Sequence, residues 1–136
     1  MLAGADVVLV TAALTEGTRN LVDAAALARM KPSAFLVNVA RGPIVDQDAL
    51  AAALTAGSIA GAALDVFREE PPTPDDPILA APNTLFSPHA TCWTDELALA
   101  SGTAAIRAVL DVRDGRRPQH VVNPEAFEQP ALRHLR

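Results

Sequence analysis

Apolar residues in this chain form two alternating kinds of run. Short continuous runs occur at Asp6–Val10, Ala34–Asn38, Ile59–Val66 and Thr84–Ser87. Such runs predict strands buried on both faces of a sheet. Between them, apolar positions recur every three or four residues, the period of a helix with one buried face. Leu21, Ala24, Ala25, Ala28 and Met30 predict a short helix that ends before Pro32. Leu50, Ala53 and Leu54 predict a second, capped by Asp46 and closed at Gly57. Leu97, Ala100, Ala104, Ile106, Val109 and Leu110 predict a long third helix, capped by Thr94 and ending at Gly115. Thr15 to Thr18 reads as a polar turn. Glu69 to Asn83 is a Pro- and Asp-rich loop with Ile78 and Leu79 as its expected anchor into the core. The residues after Arg116 read as a tail.

Strands that alternate with helices imply right-handed crossovers and a parallel sheet, so the fold class is α/β. At 136 residues the chain suits one domain with a real core. Hydrophobic residues make up 50% of it and charged ones 20%, a globular balance rather than a disordered one. With four Phe, one Trp and no Tyr, the core must be built from Ala, Val and Leu. A net charge of −5 argues against a nucleic-acid partner, although Arg107, Arg113, Arg116, Arg117, Arg133 and Arg136 gather near the C-terminus. Acidic residues are interspersed there, and a solvated helix face and tail account for the cluster. Cys92 stands alone, which leaves no disulfide framework and no metal-ligand spacing. No apolar run approaches the roughly 18 residues of a membrane span. Met1 to Asp6 lacks the basic start of a signal peptide. A soluble cytoplasmic protein with no membrane partner is expected.

Ligands of open parallel sheets gather at the carboxyl ends of the strands. Arg41 follows the second strand, Asp65 and Glu70 lie at and beyond the end of the third, and His89 lies just past the fourth. A cation, a carboxylate and an imidazole therefore converge on one edge. That is the equipment for reducing a 2-keto acid. A guanidinium holds the substrate carboxylate bidentately, and an imidazole donates a proton to the carbonyl as hydride arrives. A carboxylate beside the imidazole would favour its protonated form. Glu69 and Glu70 are adjacent, so only one points inward on an extended segment, and the residues alone leave that choice open. Asp46 and Asp48 are expected to serve a helix N-terminus. His120 and His134 lie in the tail without such context.

The runs Asn38-Val-Ala-Arg-Gly-Pro-Ile-Val-Asp46, Ala63-Leu-Asp-Val-Phe67 to Pro71, and Ser87-Pro-His-Ala90 together resemble the D-isomer-specific 2-hydroxyacid dehydrogenases. That family includes phosphoglycerate, glycerate and hydroxypyruvate enzymes. The resemblance covers roughly Asp6 to Pro124 and is to the nicotinamide-side half of the enzyme. It implies a partial Rossmann-like sheet of about four strands with flanking helices, the C-terminal half of a dinucleotide-binding domain. Residues 1–115 would be that partial domain, and 116–136 a tail returning to a substrate domain. It further implies that Arg41 binds the substrate carboxylate, that His89 is the general acid/base, and that Glu70, directly before Pro71, pairs with it. Asp65 would face the nicotinamide end of NAD. Val39, Ala40 and Arg41, with the loop His89, Ala90, Thr91 and Cys92, would line the same end. Thr11, Ala12 and Ala13 would lie near the adenine, with Ala13 where the family carries a proline.

Members of the family also carry a substrate domain and a Gly-x-Gly-x-x-Gly turn for the pyrophosphate. Neither falls within these residues, so a truncated member is expected, with an exposed sheet edge through which it would associate with itself or a complementing segment. The substrate would be a small 2-keto or 2-hydroxy acid and the cofactor NAD or NADP. Two other readings stand beside this one: a non-catalytic module, including the corepressor-like domains built on related folds, and a formate dehydrogenase. A formate enzyme would be expected to carry a glutamine in place of the carboxylate that serves the histidine.

Overall fold

The computed structural model describes residues 1–135; Arg136, the end of the expected tail, lies outside the described residues. Contacts divide the chain into two compact units, Met1–Thr91 and the residues from Cys92 onward.

The first unit is a parallel sheet with helices on one face. Its strands are β1 (Val7–Val10), β2 (Phe35–Asn38), β3 (Gly61–Leu64) and β4 (Thr84–Phe86), hydrogen-bonded in that order and parallel throughout. Val8, Leu36, Ala62 and Thr84 lie side by side across the sheet, as do Val10, Asn38, Leu64 and Phe86. Side chains alternate between faces along a strand, so these two rows point the same way, into the core. Leu36, Leu64, Ala62 and Val10 are buried there with Leu27, Ile44, Leu50, Leu54 and Ile78.

The connections carry α1 (Ala24–Leu27), α2 (Gln47–Thr55) and α3 (Pro77–Ala80). Parallel crossovers share one hand. When sheet order equals chain order, every such crossover lands on the same face, and the opposite face receives none. The expectation of strands buried on both faces therefore fails. Val7 and Leu9 are each 57% exposed and Leu85 71%, with Phe35 exposed between them.

Local signals set the helix ends. Asp46 caps α2, accepting from the Ala49 N–H at 3.0 Å, and Gly57 follows its end at φ 65°, where a residue without Cβ is unstrained. Helix α1 is shorter than its apolar spacing predicts, because Asp23 caps it by accepting from Ala26 N–H at 2.8 Å. Leu21 stays outside it, exposed. Helix α3 sits in the segment expected to be loop. Asp76 caps it, Pro77 opens it and Ile78 is buried, while Leu79 is exposed rather than an anchor.

The second unit is built on α4 (Asp95–Arg113), capped by Thr94, which accepts from Leu97 N–H at 3.2 Å. Gly115 follows its end at φ 76°. Arg116 pairs with Asp111 at 2.9 Å and Asp114 at 3.1 Å. The expected tail holds a 3-10 turn at Pro124–Glu128, and the Arg117 guanidinium stacks over the Phe127 ring at 4.7 Å. No helix among the described residues is long and apolar enough to cross a membrane.

Candidate active site

Three loops leave the carboxyl ends of β2, β3 and β4 and carry the expected residues. Asn38, at the end of β2, is buried; its Oδ1 accepts from Ala40 N–H at 3.1 Å and its Nδ2 donates to the Arg41 carbonyl at 3.0 Å. This asparagine folds the strand end into a turn, after which Gly42, Pro43 and Ile44 form a 3-10 turn. A Cβ on Gly42 would overlap the Phe67 carbonyl, so only glycine admits the loop after β3 this close to Arg41. Arg41 itself is exposed, its guanidinium donating to the Ala40 carbonyl at 2.6 Å.

Beyond β3, Glu70 and His89 meet: Glu70 Oε2 lies 2.7 Å from His89 Nδ1. The other Glu70 oxygen accepts from Phe67 N–H at 3.0 Å. The hydrogen bond with His89 is the main cause that holds the Glu70 carboxyl below the usual glutamate range. The Phe67 N–H and the charges of His89 and Arg41 add to it, against an opposing push from burial. The choice between the adjacent glutamates thus falls on Glu70. The Glu70–Pro71 peptide is cis.

His89 has φ 53°, left-handed backbone that few side chains adopt without external support. Asp65 supplies that support. Only 4% exposed, it accepts from the Ser87 hydroxyl, from Ala90 N–H at 2.9 Å and from the Thr91 hydroxyl at 2.7 Å. Burial pushes its carboxyl up, but hydrogen bonds from Ser87, Thr91 and Ala90 outweigh that and bring it down to about 2. The residues on either side of His89 are therefore tied to one buried anion.

Three clefts adjoin these groups. One of about 460 Å³ has the Glu70–His89 pair on an otherwise largely apolar wall that includes Phe67, Leu79 and Phe86. A second, of about 520 Å³, gathers Thr11, Ala12 and Ala13 with Val39, Ala40 and Arg41 between the ends of β1 and β2. A third, of about 280 Å³ on the uncovered sheet face, runs from Val37, Val39, Ala63 and Leu85 to Asp65 and Thr91. Val39 belongs to both of the last two. Cys92 is exposed and opens the second unit.

Comparison with known proteins fits this arrangement. The family described as "D-isomer specific 2-hydroxyacid dehydrogenase, NAD binding domain" matches residues 1–91. The chain belongs to this family. A glyoxylate/hydroxypyruvate reductase B of Pectobacterium carotovorum subsp. carotovorum (strain PC1) is 39% identical over 94% of the chain and 40% of its own length. A D-isomer specific 2-hydroxyacid dehydrogenase from Xanthobacter autotrophicus Py2, solved with NADPH and MES, superposes with a TM-score of 0.77 at 37% identity. The match covers 92% of this chain and 51% of that one. The NAD-complexed enzyme of Lactobacillus delbrueckii ssp. bulgaricus gives 0.80 at 32% identity, over 90% of this chain and 41% of that one. The chain spans about 40% of the length of the curated relatives it matches.

The groups that hold the site in shape carry little signal in the sequence. Asn38 belongs to β2 as expected but also folds the strand end, and nothing local marks Ser87 and Thr91 as partners of Asp65 or Gln47 as a buried polar group. A polar side chain at the end of an apolar strand was the available signal for Asn38. Asp48 departs in part from its expected role: it lies in the first turn of α2, and its carboxylate pairs with Arg68 at 2.6 Å.

Proposed function

We propose that this chain supplies the nicotinamide-side half of an NAD-dependent oxidoreductase acting on D-2-hydroxy acids, with glyoxylate and hydroxypyruvate as the nearest substrate class. The observation that carries the reading is the 2.7 Å Glu70–His89 pair on the strand-end edge that also bears Arg41. Arg41, exposed and fixed at the backbone by Asn38, binds the substrate carboxylate and turns the keto group toward the imidazole. His89, with Nδ1 engaged by Glu70, has Nε2 free to donate to the carbonyl oxygen and to accept that proton in the reverse direction. Glu70 holds the ring's orientation through its 2.7 Å contact with Nδ1. The Arg68 side chain is engaged by Asp48 instead.

The residues present suit a dinucleotide's nicotinamide end. The cleft between β1 and β2 sets Ala12 and Ala13, expected near the adenine, beside Val39, Ala40 and Arg41, expected at the nicotinamide end. The third cleft offers Val37, Ala63 and Leu85 as an apolar shelf for a flat ring, with Asp65 and Thr91 at its polar end. A bound nicotinamide supplies the hydride; NAD and NADP would be alike to these residues. Residues 116–136 would lead back toward a substrate domain.

The test is amide chemical-shift mapping of the chain with NAD⁺ and with oxamate, a 2-keto acid mimic. NAD⁺ is expected to perturb Val39, Ala40, Ala63 and Thr91, and oxamate Arg41 and His89. Saturating ligand that leaves those amides unmoved refutes the reading and leaves a non-catalytic module in its place.

A further inference from the structure

Gln47 is a buried polar side chain that the proposed mechanism does not use. It is 5% exposed and sits in the first turn of α2. Its Oε1 accepts from Arg68 N–H at 2.9 Å, and its Nε2 donates to Asp76 Oδ2 at 2.7 Å. Arg68 and Asp76 stand at the two ends of the exposed segment that carries Glu70. One amide thus ties both ends of that segment to α2.

Phe67, whose carbonyl is part of the peptide it grips, serves the site on both sides. The N–H of Phe67, one residue before Arg68, is the donor to Glu70, and the carbonyl of Phe67 lies against Gly42, next to Arg41. The Phe67–Arg68 peptide is therefore where the loop bearing Arg41 and the loop bearing Glu70 touch. From these contacts we infer that Gln47 is a positioning residue for the Glu70–His89 pair, acting through the Phe67–Arg68 peptide. The inference rests on the proposed roles of Glu70 and His89, but the geometry it concerns needs neither cofactor nor substrate.

The chemistry demanded at this position is narrow. The Arg68 N–H needs an acceptor and the Asp76 carboxylate needs a donor, and a carboxamide offers one of each. Methionine has the length of glutamine and offers neither. Glutamate keeps the acceptor but turns its second oxygen on the Asp76 carboxylate. Pairing glutamate at 47 with asparagine at 76 reverses donor and acceptor at an unchanged net charge, and the asparagine oxygen can still accept from Ile78 N–H.

The test uses the full chain labelled with ¹⁵N and ¹³C and reads two quantities. One is the Glu70 carboxyl titration midpoint; the other is hydrogen-exchange protection of the Phe67 amide, which bonds Glu70 and not Gln47. Gln47→Met is expected to raise the midpoint toward the ordinary glutamate range and to cut Phe67 protection about tenfold or more, with Leu36 and Leu64 amides unchanged. Gln47→Glu is expected to do the same, and Gln47→Glu with Asp76→Asn to restore both. A folded Gln47→Met variant with wild-type midpoint and protection overturns the inference. If Gln47→Met does not fold, Gln47→Glu and the double variant decide: equal values in the two overturn it, and recovery in the double variant sustains it. Failure of the ligand mapping would leave these readings untouched, so the two proposals stand or fall separately.

Discussion

Asp65 links the stability of the site to pH. Its folded-state pKa of about 2 lies below its ordinary 3.8. A depressed carboxylate stabilises the fold above the unfolded value and loses that contribution as pH falls through the folded one. The difference corresponds to about 2 kcal/mol, fully present above pH ~5 and gone below pH ~2. Urea denaturation at pH 7 and pH 3 should show that decline in the wild type and a flatter dependence in Asp65→Asn. At neutral pH the variant should be less stable by about 1–3 kcal/mol, since an amide nitrogen would face donors.

Among the residues at the proposed centre, Arg41→Ala should raise KM at least tenfold in an active protein containing this chain, with a fall in kcat where the keto acid is left misaligned. His89→Ala should lower kcat by about 10²–10⁴-fold. Glu70→Gln should lower kcat, whereas Glu69→Gln should leave it unchanged; steady-state kinetics on glyoxylate and hydroxypyruvate separate the two glutamates. Residue types at strand ends made Arg41, His89 and a carboxylate at Glu69 or Glu70 legible in sequence, and only the family resemblance pointed to Glu70. What stayed hidden was which donors Asp65 would meet, because Ser87 and Thr91 are more than twenty residues away along the chain. Such contacts are fixed by sheet register and not by local pattern.

The same division holds for secondary-structure elements. All four strands were readable from their continuous apolar runs, and the longer helices because each combines an apolar period with a cap. Asp46→Ala should cost about 1 kcal/mol by loss of the α2 cap, measured by thermal or chemical denaturation. Helix α1 is shorter than its pattern and α3 lies where a loop is expected, for a common reason: with four residues each, their ends depend on one capping aspartate more than on periodicity. Gly42 shows how one position couples two elements. Gly42→Ala should destabilise by at least about 2 kcal/mol, because the methyl group must displace the backbone of Phe67 rather than a movable side chain.

For the first unit as a whole, the uncovered sheet face is the largest departure from expectation. The apolar runs announced two buried faces, but burial on the second face depends on partners that no run of residues in this unit provides. Val7, Leu9, Phe35 and Leu85 are exposed apolar residues on this face, spread from the edge strand β1 to the opposite edge strand β4. The chain is expected to self-associate as its concentration rises. Replacing Leu9 and Leu85 by lysine should reduce that association in light scattering while leaving the far-ultraviolet dichroism intact. A wild-type chain that stays monodisperse at high concentration would falsify this.

The order of the strands bears on how the chain folds as it is made. Each strand pairs with the one synthesised just before it, so no β-strand must wait for a distant partner to emerge. Sequential pairing keeps the loops that must close short, and short loops cost less entropy to close. During synthesis the sheet can grow one βα unit at a time, its leading edge always the newest strand. Pulse-labelling of nascent chains stalled after Asn38, Leu64 and Ser87 should therefore show protection advancing stepwise from β1 and β2 to β4, rather than arriving all at once.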